Sequence, residues 1–175
     1  GQKATVKTTG SIARNIPQLT SASSLVGTEV QFEAGDTRNT DATFDSNSNR
    51  IVIVYRDVGN SSYGSVVVGT VDPSDNSISF GTPVVFESAN SEVGDVVFDS
   101  SNNKVVVFYT DNGNSSYGTA IVGTVDSSDN SISFGSATTF LDATSYYYGI
   151  DATFDNSNNK IVIAYRDGGD SNKGK

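Results

Sequence analysis

Residues 44–81 read FDSNSNRIVIVYRDVGNSSYGSVVVGTVDPSDNSISFG, and this stretch decides the fold. It alternates apolar runs with short clusters of Asn, Asp, Ser and Gly, which are residues that form turns. Val, Ile, Phe and Tyr dominate the runs, and these β-branched and aromatic residues favour strands. The clusters are too short for the crossovers that parallel strands require. The stretch therefore predicts antiparallel strands joined by hairpins.

The same stretch recurs along the chain. Residues 60–81 and 114–135 are identical at 18 of 22 positions. The motif DATFD, or its variant DVVFD, recurs at spacings of 54 and 56 residues. We therefore divide a single repeat domain of residues 1–175 into four parts: N-terminal strands (1–33), a first repeat (34–87), a second repeat (88–141) and a partial third repeat (142–175).

Each repeat predicts four strands, which in the first repeat are DATFD, RIVIVYRD, SVVVGTVD and SISFGTPVVF, with Gly81 at a bulge or bend. The second and third strands are apolar on successive residues, so both faces of the sheet are expected to be covered. Four-stranded antiparallel repeats of this length predict an all-β fold, a β-propeller with about three blades in the chain. A parallel β-solenoid conflicts with the hairpins, and a two-sheet sandwich would not need the repeat.

Three blades do not close a ring, because closed propellers have about 4–8 blades. We expect two chains to form a six-bladed ring as a homodimer, in which the N-terminal strands of each chain complete the last blade of the other. Residues 1–10 would supply a third strand, and residues 23–32, which align with 77–86, a fourth. The alternative is that the chain is a fragment of a longer array.

The composition excludes several classes of chemistry. The 175 residues include no Cys, Met, Trp or His. Disulfide frameworks, thiolate zinc sites and catalytic triads that use His are therefore excluded. With 20 acidic against 11 basic residues, the net charge is −9, so we expect no nucleic-acid partner and no anionic membrane partner.

The quoted repeat resembles the propeller-type repeats of predicted tail-fibre and other virion structural proteins of marine bacteriophages. KATVKTTGSIARN, at residues 3–15, resembles segments that precede such repeats. The resemblance covers almost the whole chain. It implies an extracellular, virion-surface location and binding to a host-surface ligand such as a cell-surface glycan. The chain also resembles, more loosely, small lectins that form six-bladed rings. Those lectins stack sugars on Trp, and this chain has no Trp.

Candidate ligand-binding residues follow the second strands. Carboxylates can hydrogen-bond sugar hydroxyls, and a Tyr ring can stack on a pyranose. The three copies of a strand-ending Asp, two loop Tyr residues and one residue of the Tyr triplet form this set: Asp57, Tyr63, Asp111, Tyr117, Asp167 and Tyr147. The simpler interpretation, which we favour, is that Asp closes the turn and Tyr packs between blades.

Candidate calcium ligands follow the first strands, where oxygen-bearing side chains occur at alternate positions, as in calcium loops. The set is Asp45, Asn47, Asn49, Asp99 and Asp155. The Gly and the terminal Glu of an EF-hand loop are missing, so a plain hairpin turn is the favoured interpretation. We accordingly expect no cofactor, with Ca²⁺ as the alternative.

Three further aspartates, Asp41, Asp95 and Asp151, open the innermost strands and would face a central channel. They would either hold a cation or accept hydrogen bonds from backbone amides of the next blade, and we favour the amides. Because the repeats are nearly interchangeable, we expect a non-enzymatic structural or receptor-binding module that binds multivalently. A calcium-assisted carbohydrate-binding module is the alternative, and a glycoside hydrolase using paired carboxylates is less favoured.

Overall fold

Apolar runs and turn clusters become strands and hairpins in the structure. A computed structural model describes residues 27–175, and every regular element in that range is a β-strand. The strands are β1 (Thr37–Asp45), β2 (Arg50–Asp57), β3 (Tyr63–Asp72), β4 (Ser77–Phe80), β5 (Val84–Asp99), β6 (Lys104–Asp111), β7 (Tyr117–Asp126), β8 (Ser131–Phe134), β9 (Thr138–Asp155), β10 (Lys160–Asp167) and β11 (Lys173–Gly174). The predicted all-β class is confirmed. Within residues 27–175 no helix has the length and hydropathy needed to cross a bilayer.

The strands form one open sheet in which all neighbours are antiparallel. Its order is β1-β2-β3-β5-β6-β7-β9-β10-β11, with β4 paired to β3 and β8 paired to β7. The two long strands change partner along their length. Residues 84–90 of β5 pair with β3, and residues 91–99 pair with β6. β9 makes the same exchange between β7 and β10.

This exchange corrects the prediction of four separate strands in each repeat. The predicted fourth strand SISFGTPVVF is broken at Gly81, Thr82 and Pro83, and its second half continues into the first strand of the next repeat. A turn is absent between residues 84 and 99, so the backbone stays extended across the repeat boundary. The strand therefore leaves one repeat and enters the next without a loop.

The predicted N-terminal strands lie largely outside the described residues. Residues 1–26 are not described, and residues 27–36, which include the end of the predicted fourth strand, are not in a strand. A strand needs a neighbour for its backbone hydrogen bonds. No pairing with β1–β11 involves these ten residues.

Two hydrophobic clusters join the repeats. The larger one places Val52 and Val54 of β2 against Val105 and Val107 of β6, two strands that are not hydrogen-bonded to each other. The smaller one joins the second repeat to the third, with Phe108 as a buried member. Successive residues of β6 are thus buried from opposite sides, as the continuous apolar runs predicted, whereas in β2 Val52 and Val54 are buried and Ile51 and Ile53 are only partly buried.

Hairpin turns use residues that tolerate a left-handed backbone. Asn49, Asn103 and Asn159, at equivalent places before β2, β6 and β10, have φ of 56°, 54° and 53°. Asn is one of the few residues other than Gly that adopt this conformation at low cost. The Asn-rich clusters therefore fix the position of each turn.

Candidate functional site

The first strands of the three repeats lie side by side, and two repeated aspartates link them. Asp41 accepts a hydrogen bond from the backbone N–H of Val96 at 3.0 Å through Oδ2. Asp95 in the second repeat accepts one from the N–H of Ala152 in the third. Both contacts join one repeat to the next. The predicted pairing of these aspartates with backbone amides of the following repeat is confirmed for Asp41 and Asp95.

A cavity of about 400 Å³ opens beside these aspartates, near the start of β1 and in the second halves of β5 and β9. Its polar lining includes all three repeated aspartates, and two tyrosines of the third repeat complete one side. These five residues are Asp41, Asp95, Asp151, Tyr147 and Tyr148. Carboxyl groups from three repeats thus meet an aromatic wall that only one repeat supplies.

One carboxyl group in this cavity has a raised pKa. Burial raises the pKa of Asp95 to about 7, and a hydrogen bond with the carboxyl group of Asp41 adds to the rise. Because the hydrogen bond with Asp41 would use any proton that Asp95 holds, these carboxyl groups present hydrogen-bond acceptors to a molecule in the cavity.

Arg166 holds in place the aromatic wall that Tyr147 and Tyr148 form on one side of the cavity. The Arg166 guanidinium lies 4.3 Å from the centre of the Tyr146 ring, and its Nη1 donates a hydrogen bond to the Tyr148 hydroxyl at 2.8 Å. The Tyr147 and Tyr148 rings meet edge to face at 5.3 Å. Tyr148 is nevertheless mostly exposed. The Tyr148 ring thus presents aromatic surface to solvent, while Arg166 fixes the direction of the Tyr148 hydroxyl.

The predicted ligand-binding aspartates are used by their own turns. Asp57 accepts a hydrogen bond from the N–H of Asn60 at 2.9 Å, and Asp111 accepts the equivalent bond from Asn114 at 3.0 Å. Asp167 accepts from Gly169 at 2.8 Å. These contacts match the turn-closing role that was the favoured interpretation.

The predicted loop tyrosines are half-buried and begin strands. Tyr63 pairs with Asp57 across the β2–β3 hairpin, and Tyr117 pairs with Asp111 across the β6–β7 hairpin. Neither lines the cavity. Of the predicted ligand-binding residues, Tyr147 is the one that does.

The predicted calcium ligands also serve turns. Asp45 accepts from the N–H of Asn47 at 2.9 Å, Asp99 from Ser101 at 2.9 Å, and Asp155 from Ser157 at 2.9 Å. Hydrogen bonds from the Asn158 side chain and the Ser157 N–H lower the pKa of Asp155. Asn47 follows Asp45 in the turn, and Asn49 takes the left-handed position described above. Among residues 27–175, no group of three or more acidic side chains is arranged to hold a metal ion.

Sequence reasoning assigned Asp41, Asp95 and Asp151 to a channel and missed Tyr148. It did not predict that the aspartates and the Tyr triplet would line one cavity. Two features of the sequence, taken together, could have indicated this. The triplet is the conspicuous break in repeat symmetry, and it lies three residues before the repeated Asp151.

A second cavity, of about 420 Å³, lies where the same strands end. Three equivalent phenylalanines, Phe44, Phe98 and Phe154, line it together with smaller side chains. The two ends of the strand group therefore differ in chemistry. The first cavity combines carboxyl groups with tyrosines, whereas the second has phenylalanines and no acidic side chain in its described lining.

The comparisons with known proteins are limited to one partial match. A model of the cyclophilin-like family matches residues 78–144, which run from β4 into β9. The match covers less than half of the chain and crosses the boundary between the first and second repeats. No curated protein and no solved structure matches the chain.

Proposed function

We propose that the protein is a non-enzymatic receptor-binding module, of the kind carried on phage tail fibres, that binds a hydroxyl-rich ligand such as a host-surface glycan. The observation that supports this proposal is the cavity in which carboxyl groups of three repeats meet Tyr147 and Tyr148. The phage resemblance of the repeats adds the extracellular, virion-surface location.

The chemistry of the cavity suits a sugar. Carboxylate oxygens accept hydrogen bonds from hydroxyl groups, and the Tyr148 hydroxyl, which accepts a hydrogen bond from Arg166, can donate its own O–H. The exposed Tyr148 ring offers a flat surface for the apolar face of a pyranose. A hydroxyl-rich ligand uses donors, acceptors and a ring surface together, as these residues provide.

The architecture that we propose for binding is a propeller. Each group of neighbouring strands would be a blade, and two chains would close a six-bladed ring. In such a ring the repeated aspartates of both chains would surround one central channel, with two copies of Tyr147 and Tyr148 beside it. Weak contacts at the two copies would add up on one ligand that reaches both.

Catalysis on the same glycans is less well supported. Retaining glycosidases hold their two carboxyl groups about 5–5.5 Å apart, and inverting enzymes hold them further apart. Asp41 and Asp95 are instead hydrogen-bonded to each other. The geometry therefore favours holding a sugar over cleaving it.

A glycan array tests the proposal with and without Ca²⁺. We expect binding by the natural chain in both conditions, loss of binding by Tyr148→Ala, and unchanged binding by Tyr63→Ala. Tyr148 is exposed, so its replacement should not disturb the core. Tyr63→Ala is the matched control, because it removes a Tyr from the other predicted site.

Three results would overturn parts of the proposal. Silence of the natural chain on every glycan would remove the sugar ligand. Binding that requires Ca²⁺ would favour the calcium-assisted alternative. Turnover of a polysaccharide that is lost in Asp95→Asn would make the protein an enzyme.

A further inference from the structure

Irregular pairing in the first strand of each repeat places residues at the cavity of about 400 Å³. Among the described residues, three segments have no partner in the neighbouring strand: residues 39–40 of β1, residue 94 of β5 and residues 146–149 of β9. Such β-bulges redirect side chains and are common next to functional sites. The bulge residues that line the cavity are Asn39, Thr40, Gly94, Tyr147 and Tyr148. The longest bulge, in β9, supplies both tyrosines, and the third repeat therefore gives the cavity its aromatic side.

The lining of the cavity is acidic. Of its described residues none is basic and three carry carboxyl groups, namely Asp41, Asp95 and Asp151. Arg166 orients Tyr148 but does not line the cavity, and its guanidinium lies 4.3 Å from the centre of the Tyr146 ring and 5.7 Å from that of Tyr148. The whole chain has a net charge of −9. A positively charged ligand would therefore be attracted to this cavity, whereas an anionic ligand would be repelled.

Two of these carboxyl groups are crowded together. Oδ2 of Asp41 and Oδ1 of Asp95 accept hydrogen bonds from the same backbone N–H, that of Val96, at 3.0 and 2.7 Å. Negative charges this close repel each other, and a nearby cation relieves the repulsion. The pKa of Asp95, which burial and the hydrogen bond with Asp41 raise, agrees with such crowding. A cationic group next to the pair would therefore be bound more strongly than a neutral hydroxyl group.

The ring of Tyr148 offers a second kind of contact. Tyr148 is 62% exposed although it lines the cavity. The face of a Tyr ring attracts cations, and it also packs against the apolar face of a pyranose. An amino sugar carries an ammonium group and a pyranose face on the same ring. Neutral sugars have only the pyranose face, and simple amines have only the cation.

We propose that the cavity binds an amino sugar whose amino group is free and protonated. The ammonium group donates hydrogen bonds to the carboxyl groups of the lining, and the sugar ring packs on Tyr148. Asn39 and Thr40, the bulge residues of β1, supply polar partners for the sugar hydroxyl groups. The inference rests on the proposed function and narrows its ligand from a hydroxyl-rich glycan to a cationic one.

Calorimetric titration of the full chain with three sugar tetramers of the same linkage tests the proposal. The tetramer of glucosamine has free amino groups, that of N-acetylglucosamine has uncharged amides, and cellotetraose has hydroxyl groups alone. At about pH 6, where primary amino groups are protonated, we expect the glucosamine tetramer to bind about tenfold more tightly than either neutral tetramer. This advantage should shrink as the salt concentration rises, because salt screens charges.

A pair of variants separates the charge of the cavity from the charge of the chain. Asp151→Asn should weaken binding of the glucosamine tetramer about fivefold, because it removes one carboxylate from the lining. Asp142→Asn is the matched control and should leave this affinity unchanged. Asp142 is exposed, like Asp151, and lies in the same strand, but it does not line the cavity. Circular dichroism would verify that both variants keep their strands.

Several results would overturn the proposal. Equal affinities for the three tetramers, or an equal loss in Asp142→Asn and Asp151→Asn, would remove the amino group from the recognition. Putrescine, a plain diamine, binding as tightly as the glucosamine tetramer would remove the sugar. The outcome is distinguishable from that of the glycan array. Binding of neutral sugars without binding of the glucosamine tetramer would refute the amino sugar alone, whereas silence on every glycan would refute the proposed function itself.

Discussion

The junction between the first and second repeats differs from the junction between the second and third, although both place equivalent strands together. At the first junction, Arg56 Nη1 donates to Glu92 at 2.6 Å, in a mostly buried ion pair. At the second, Thr110 stands in the place of Arg56 and the Tyr146–Tyr148 triplet in the region of Glu92, and the Thr110 hydroxyl is buried without a hydrogen-bond partner among the described residues. The first junction has an ion pair at this point, and the second has uncharged side chains there.

Both junctions keep the same aromatic contact. The Phe86 and Tyr109 rings lie 5.4 Å apart at the first junction, and Phe140 and Tyr165 lie 5.3 Å apart at the second. The glutamate that binds Tyr109 is replaced by Leu141 at the second. The comparison indicates that aromatic and aliphatic packing sets the geometry of a junction, whereas polar pairs adjust its stability.

The largest expected effect comes from removing the aromatic contact. Tyr109→Ala should lower the free energy of unfolding by about 3–5 kcal/mol, because it empties a fully buried ring site. Tyr165→Ala should cost clearly less, since Tyr165 is only partly buried. Denaturant unfolding of both variants measures the difference. Equal losses would show that the two junctions are packed to the same extent.

A smaller effect is expected from the ion pair. Arg56→Thr leaves the carboxylate of Glu92 mostly buried without a cation and should cost about 1–3 kcal/mol. The double variant Arg56→Thr, Glu92→Tyr copies the second junction onto the first and should recover most of this loss. Urea unfolding of the two single variants and the double variant gives the coupling energy. A double variant as unstable as Arg56→Thr would mean that the second junction depends on other neighbours.

The sequence predicted the strands and hairpins well because these are local features. The apolar runs of β2 and β6 and the Asn-rich turns need only neighbouring residues to be recognised. It did not predict that β5 and β9 continue across repeat boundaries, because the absence of a turn is a weak signal. The repeat grouped the three aspartates at one place, but it did not predict that Tyr147 and Tyr148 would line the same cavity. These tyrosines have no counterpart in the other repeats, and their position beside Asp41 and Asp95 depends on packing between repeats.

The smallest expected effect is a change of unfolding free energy with pH, which we expect to differ between two kinds of aspartate. Asp95 lies between the second and third repeats with its pKa raised by burial and by Asp41, whereas turn hydrogen bonds hold the pKa of Asp155 low. A raised folded-state pKa stabilises the fold at low pH, and this contribution is lost as pH rises through about 7. The chain has no His, so no other side chain has its ordinary pKa in this window.

The natural chain should therefore lose about 1–2 kcal/mol of unfolding free energy between about pH 5 and 7.5, after allowance for solvent screening. Asp95→Asn should be nearly flat over the same range, since its amide can still accept the N–H of Ala152 but cannot ionise. Asp155→Asn is the control, and it should keep the slope, because a carboxyl group with a lowered pKa gains and loses its proton only at lower pH. A natural chain that becomes more stable as pH rises from 5 to 7.5 would mean that Asp95 is ionised throughout this range, and that its burial between the repeats does not raise its pKa.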